Sequence, residues 1–256
     1  MEIIKKYGTQ LNSQDIWKFL AIVLMVVDHI GKFYYPDQLW FRVMGRMCIP
    51  IWFFFVGYSK SQPVNAPIIV GALLLVLVDV LIKAPIFPLN ILVTIICYRL
   101  IHHYFLNKYL DKSEYYELIM AVVLILIFYL PTMWVMEYGT LALVFTALGR
   151  LIRMEQQSAR INFYIVLAVL AFALPETYAF GFTPVQTAIL LIGIALVTFM
   201  LSHYQLVKYN ITYHTPAAII MFLARNSLYF YVIHIIILLC IDRMINPEDY
   251  DQFSWM

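Results

Sequence analysis

An all-α, polytopic integral membrane bundle is the fold class this sequence predicts, and three observations predict it. Of 256 residues, 63% are apolar and only 12% charged, against about 45–50% and about 25% in soluble domains. The mean hydropathy is +0.82. The apolar residues fall into nine runs of crossing length, separated by Pro, Asn, Asp, Gln and Ser. At about 25–30 residues per crossing and turn, this length allows roughly eight to ten helices. We expect about nine, in one transmembrane domain spanning 1–256 with no separate soluble domain. An aromatic content of 16% argues against disorder, and a net charge of +2 is too small to imply nucleic acid.

The runs are 16–35, 43–60, 66–84, 89–106, 116–134, 138–153, 161–179, 184–206 and 217–242. Helices are the economical choice for each, because backbone groups facing lipid must bond within their own segment. The first follows Lys5 and Lys6 and has the outline of a signal peptide. It contains Asp28 and His29, however, and no small-x-small cleavage site follows, so it reads as a retained helix ending at Tyr35-Pro36-Asp37. The second closes before Gln62-Pro63, and the third at the prolines of 85–88. The fourth opens at Asn90. Asp111-Lys112-Ser113 precedes the fifth, which Pro131 interrupts near its end, and Glu137 precedes the sixth. Residues 156–158 separate the sixth from the seventh, where Pro175 marks a further break, and 210–216 separate the eighth from the ninth.

Lys and Arg set the orientation. With the N-terminus in the cytoplasm, the inner side collects twelve of them and the outer side five, namely Lys32, Arg42, Arg46, Lys83 and Arg243. This bias follows the positive-inside rule, so a multi-pass protein of the inner (plasma) membrane is expected, N-terminus in and C-terminus out. Cys48, Cys97 and Cys240 have neither a CxxC nor a metal-ligand spacing and read as buried thiols. No metal is expected.

Ionisable groups inside a bilayer cost roughly 2.5–3.5 kcal/mol each on the insertion scale and mark functional sites by default. At about 1.5 Å per residue, Asp28 and His29 lie about 18–20 Å across a core of roughly 30 Å, in its outer half. Arg46, Asp79 with Lys83, Asn90, Glu137 and His234 belong to five other helices and fall near the same level. Plainer roles stand beside this convergence. Asp79 and Lys83, like Asp28 and Lys32, are four residues apart and suit intrahelical ion pairs. Arg99, His102 and His103 suit snorkelling at the inner interface. The sharper reading makes His29 a general base, whose reference pKa near 6.5 suits proton exchange at neutral pH. A carboxylate would fix its tautomer, Glu137 or Asp79 from another helix rather than Asp28, which stands about 100° away around the same helix, and Arg46 would hold a developing oxyanion or a substrate carboxylate.

The segment Leu24-Met25-Val26-Val27-Asp28-His29-Ile30 resembles the hallmark of the TraX family of conjugative pilin acetylases. Gly45-Arg46-Met47-Cys48-Ile49-Pro50-Ile51-Trp52-Phe53, with Gly57 beyond it, is similar to that family's Gly-Arg-x-x-x-Pro run. Asn90 with Thr94, Glu137-Tyr138-Gly139 and the Tyr-Phe-Tyr-Val-Ile-His of 229–234 resemble three further elements. The chain departs in having Glu rather than the commoner Asp at 137, and in lacking a proline before His234. More distantly, the first-helix His and the closing Asn-Ser-Leu-Tyr…His element resemble membrane acyltransferases of envelope polysaccharides. The resemblance implies acetyl transfer from acetyl-CoA to an acceptor at the outer face, the N-terminal amine of pilin in the namesake enzymes. It implies His29 as catalytic base with Asp28 beside it, and Arg46, Asn90, Glu137 and His234 as site residues. Asp79 and Lys83 join them by depth alone.

Acetyl-CoA is cytosolic, whereas the expected site lies beyond the midplane. The nucleotide is therefore expected at the inner face, its phosphates met by some of Arg99, Lys108, Lys112, Arg150, Arg153 and Arg160, with the pantetheine arm threading between helices. An envelope glycan O-acetyltransferase would use the same proton chemistry. A proton-coupled secondary transporter is the rival from another class, although nine crossings do not divide into equal repeats. A non-catalytic envelope scaffold is the third, and self-association into a homo-oligomer fits any of them.

Overall fold

The computed structural model describes residues 10–59, 64–101, 115–154, 159–210 and 214–247. The chain begins with a short strand, β1 (Gln10–Asn12), and then enters α1 (Ser13–Tyr34). Asn12 and Asp15 form a reciprocal capping box at the start of α1, satisfying two otherwise orphaned N–H groups. Next come α2 (Trp40–Gly45), α3 (Cys48–Tyr58), α4 (Ala66–Ile82), α5 (Ile91–Ile101) and α6 (Tyr115–Thr132). They are followed by α7 (Leu143–Met154), α8 (Ala159–Phe180), α9 (Pro184–Ser202), β2 (Lys208–Asn210), α10 (His214–Arg225) and α11 (Ser227–Ile245).

Among the described residues each of the nine apolar runs contains helix, and two of the runs divide. The second run divides into α2 and α3. Pro50 has no N–H to give the Arg46 carbonyl four residues back, and the Ile49 N–H takes that carbonyl instead at 3.2 Å. The ninth divides into α10 and α11 at Asn226, whose side-chain amide donates to the Phe222 carbonyl at 2.7 Å. Pro175, expected as a break, lies inside α8, which continues to Phe180. Among the described residues, five helical stretches are long and apolar enough to cross a membrane: Trp40–Tyr58, Tyr115–Thr132, Ala159–Phe180, Pro184–Ser202 and Ser227–Ile245.

The core is centred on α3, of which nine residues are buried. The carbonyl of Thr146 would lie 1.8 Å from a Cβ placed on Gly57, and that of Phe54 2.1 Å from one on Gly149. Glycines at these two positions let α3 and α7 pack backbone to backbone, as small residues do in membrane bundles. At the end where α1 begins, β1 pairs antiparallel with β2, Gln10 opposite Asn210. No strand was legible in the sequence here, since each has only three residues. Arg225 adds a clamp, its Nη2 2.8 Å from Asp15 Oδ2.

Candidate functional site

Helix α1 carries Asp28 and His29 side by side, about 100° apart around its axis, and the structure sends them to different partners. Asp28 is buried and turns toward α2. Its Oδ2 accepts from Arg42 Nη1 at 2.6 Å, and the same nitrogen reaches the Asp28 carbonyl at 2.9 Å. Gly45 makes this packing feasible, because a Cβ there would fall 2.3 Å from Asp28 Cβ. Arg46 Nε lies 3.8 Å from Asp28 Oδ1 and 3.0 Å from Glu176 Oε2 on α8. Both guanidiniums stack on Phe180, at 4.9 and 4.7 Å from its ring centre. The result is a buried cluster of two cations and two anions. Neither Arg46 Nε, Asp28 Oδ1 nor Glu176 Oε2 has an aligned hydrogen bond among the described residues.

His29 turns toward α11. Its Nδ1 lies 2.9 Å from His234 Nε2, and His234 Nδ1 lies 2.9 Å from the Phe230 carbonyl oxygen. A carbonyl only accepts, so His234 Nδ1 carries a proton. With both rings neutral, His234 Nε2 must accept, and His29 Nδ1–H must donate. That assignment leaves the lone pair on His29 Nε2. Tyr231 packs against both imidazoles, with ring centres 6.2 and 5.7 Å away.

The loop between α6 and α7 supplies the next group. The Glu137 N–H donates to the Leu89 carbonyl at 2.8 Å, and Thr94 Oγ1 donates to the Glu137 carbonyl at 2.8 Å. The Glu137 carboxylate accepts the Ile91 N–H at 3.0 Å, favoured at the start of α5, and lies 3.9 Å from Lys32 Nζ. Asn90 also serves this helix start, accepting from the Leu92 N–H at 3.2 Å and donating to the Ala72 carbonyl of α4 at 3.1 Å. Tyr138 takes φ +65°, unusual for a residue with a Cβ, and its hydroxyl accepts from Arg46 Nη1. The Gly139 carbonyl accepts from the Tyr98 hydroxyl.

A cavity of about 260 Å³ gathers Asp28, His29, Arg46 and Glu137 with Lys32, Arg42, Tyr138 and Glu176. His234 stands behind His29, and Asn90 is joined to the cavity through the α5 start. Asp79 and Lys83 are outside its lining. Asp79 is in electrostatic reach of Lys32 and Glu137, while Lys83 is exposed in a left-handed helix cap, φ +61°.

Several expectations change accordingly. Asp28 pairs with Arg42 rather than with Lys32. The second nitrogen of His29 meets an imidazole rather than a carboxylate. Arg42 and Glu176 were missed as site residues, although Glu176 is the one acid in α8 and such a lone intramembrane carboxylate is itself a signal. Of the residues expected at the nucleotide, Arg153 Nη1 donates to the Tyr58 carbonyl at 2.9 Å. Arg99 lines a second cavity considered below, which Arg150, Arg153 and Arg160 do not line. His102, His103, Lys108 and Lys112 lie outside the described residues. Among the described residues no group of three His, Cys, Asp or Glu is arranged to hold a metal ion.

No solved structure matches the chain. An uncharacterized protein of Rickettsia prowazekii (strain Madrid E) is 28% identical over 237 residues, covering 89% of this chain and 91% of the relative. The family model described as TraX protein matches residues 13–242, a span that includes α1 with Asp28 and His29, the Glu137 loop and His234 on α11. The chain belongs to the TraX family.

Proposed function

We propose that this protein is a membrane acetyltransferase that moves an acetyl group from cytosolic acetyl-CoA to an acceptor at the outer side of the inner membrane, the N-terminal amine of pilin. The observation that carries this reading is the hydrogen-bond chain from the Phe230 carbonyl through His234 to His29. It leaves a base nitrogen on a residue that lines the cavity shared with Arg46. In the reaction, the acceptor amine attacks the thioester carbonyl and a C–N bond forms. His29 Nε2 takes the amine proton, Arg46 stabilises the oxyanion of the tetrahedral intermediate, and the C–S bond then breaks. The departing thiolate receives the proton from the imidazolium and leaves as the free thiol of CoA. Asp28 and Glu176 hold Arg46 in place through charge, and Glu137 orders the cavity rim through the α5 start.

In this reading the chain crosses the bilayer nine times with its N-terminus in the cytoplasm. Membranes carrying the chain, supplied with pilin and tritiated acetyl-CoA, provide the test. His29→Ala is expected to lower labelling by about 10²–10⁴-fold, the usual worth of a general base. A His29→Ala protein that labels pilin at the wild-type rate refutes the assignment.

A further inference from the structure

A second cavity, of about 320 Å³, lies among α1, α3, α4, α5 and α11. Its composition changes along its length. At the end where α1 begins it is bordered by Gln14, Lys18, Asn65 and Arg99. Most of the rest of the wall is apolar, formed by Phe55, Val56, Ile68, Leu92 and Ile95 with Ser227 among them. At the far end stand Met25, one helical turn before His29 on the same face of α1, and Tyr231, which packs on both imidazoles. From Lys18 to His29 the rise along α1 is about 16 Å. Trp52 also lines the cavity, and its buried Nε1–H has no hydrogen-bond acceptor among the described residues. An indole N–H buried without an acceptor is costly, and within a cavity it marks a place for a ligand's oxygen.

We propose that this cavity is the channel for the acyl donor's carrier arm. Lys18 and Arg99 hold the phosphates, the Trp52 N–H donates to an amide carbonyl of the pantetheine, and the thioester reaches past Tyr231 to His29. The inference rests on the acetyltransferase reading and relocates its donor site. The phosphate contacts keep Arg99 and gain Lys18 in place of Arg150, Arg153 and Arg160, and Trp52 and Tyr231 acquire roles that sequence motifs did not assign. The chemistry matches along the whole cavity: a cationic mouth for an anionic head, an apolar shaft for a slim chain, and one unmatched donor for a chain that carries amides.

The experiment compares two donors in proteoliposomes, acetyl-CoA and S-acetylpantetheine, which lacks the phosphates, and adds equilibrium binding of CoA alone. The Lys18→Glu, Arg99→Glu double variant is expected to raise KM for acetyl-CoA by about tenfold or more, the scale of a lost charge-assisted contact, and to leave KM for S-acetylpantetheine unchanged. Trp52→Phe, which keeps the ring and removes the N–H, is expected to raise KM for both donors. A matched S-acetylpantetheine rate in the double variant shows that it is folded. If the double variant falls to background with both donors, Trp52→Phe decides: equal KM values for the wild type and Trp52→Phe overturn the channel. A double variant with unchanged CoA affinity overturns it directly, as does a KM rise confined to Arg150→Glu, Arg153→Glu. CoA binding that depends on Lys18, Arg99 and Trp52 without any acetyl transfer would refute the enzymatic reading and leave the channel standing.

Discussion

At the residue scale, the proposed reaction turns on which atom of His29 is left without a proton. The Phe230 carbonyl is a pure acceptor, and its demand passes through two imidazoles to the cavity. In the proposed reaction His234 is thus a positioning residue. His234→Ala is expected to lower kcat by about tenfold or more by freeing the tautomer, with KM for acetyl-CoA little changed. His234→Gln, whose amide oxygen accepts from His29 Nδ1–H, is expected to restore part of the rate, and kcat measured across the two variants checks it. Rates equal to wild type in both would remove the relay. Asp28 calls for a different measurement. It neutralises Arg42 inside the bundle, and breaking a buried ion pair costs about 3–5 kcal/mol. Asp28→Asn is therefore expected to lower thermal stability in detergent as well as activity, whereas His29→Ala lowers activity alone. The candidates His29, Arg46 and Glu137 were legible in the sequence because each is a costly residue placed at membrane depth. The partnership of His29 with His234 was not, because a linear sequence gives depth along a helix but not the direction in which a side chain points. Asp28 and His29 share a level and face different neighbours.

At the element scale, α1 and α2 form the frame of the site. Gly45 lets the two helices touch at Asp28, and Arg42 and Arg46 follow from that contact. Gly45→Leu places a side chain where Asp28 already stands, and overpacking of this kind costs typically about 1–3 kcal/mol. The expected result is a lower melting temperature and a lost site, read by thermal unfolding and by the transfer assay. Unaltered melting would show that α2 does not lean on α1 as described. Helix positions were readable from apolar runs, since a segment spanning lipid has little other choice. The interruptions at Arg46 and Asn226 were less readable. Both depend on where single carbonyls find donors, Ile49 serving for Pro50 in the first case and the Asn226 amide reaching back in the second. Pro175 shows the converse, a proline that a long membrane helix absorbs while carrying Glu176 to Arg46. The strand pair at β1 and β2 escaped the pattern because three residues are too few for an alternation to register.

Across the whole molecule, polar chemistry is sorted to two levels. Lys18, Arg99, Arg153 and the Asp15–Arg225 clamp lie toward the end where α1 begins, and the His29 cavity lies toward the other. The proposed orientation puts the first level in the cytoplasm. A cysteine introduced at Asp37, between α1 and α2, is then expected to react with an impermeant maleimide added outside intact cells, and one at Gln205, before β2, only after the membrane is opened. The reverse pattern would invert the topology and separate the cavity from an external acceptor. The pairing of Arg46 with Glu176 carries a further consequence, for how the chain is made. Asp28 meets Arg42 after 14 residues, so the first hairpin enters the bilayer with that pair already matched. Glu176 emerges about 130 residues after Arg46. Throughout that interval of synthesis the nascent bundle carries a guanidinium whose second counter-ion has yet to leave the ribosome, and the translocon or its insertase must shelter it until α8 arrives.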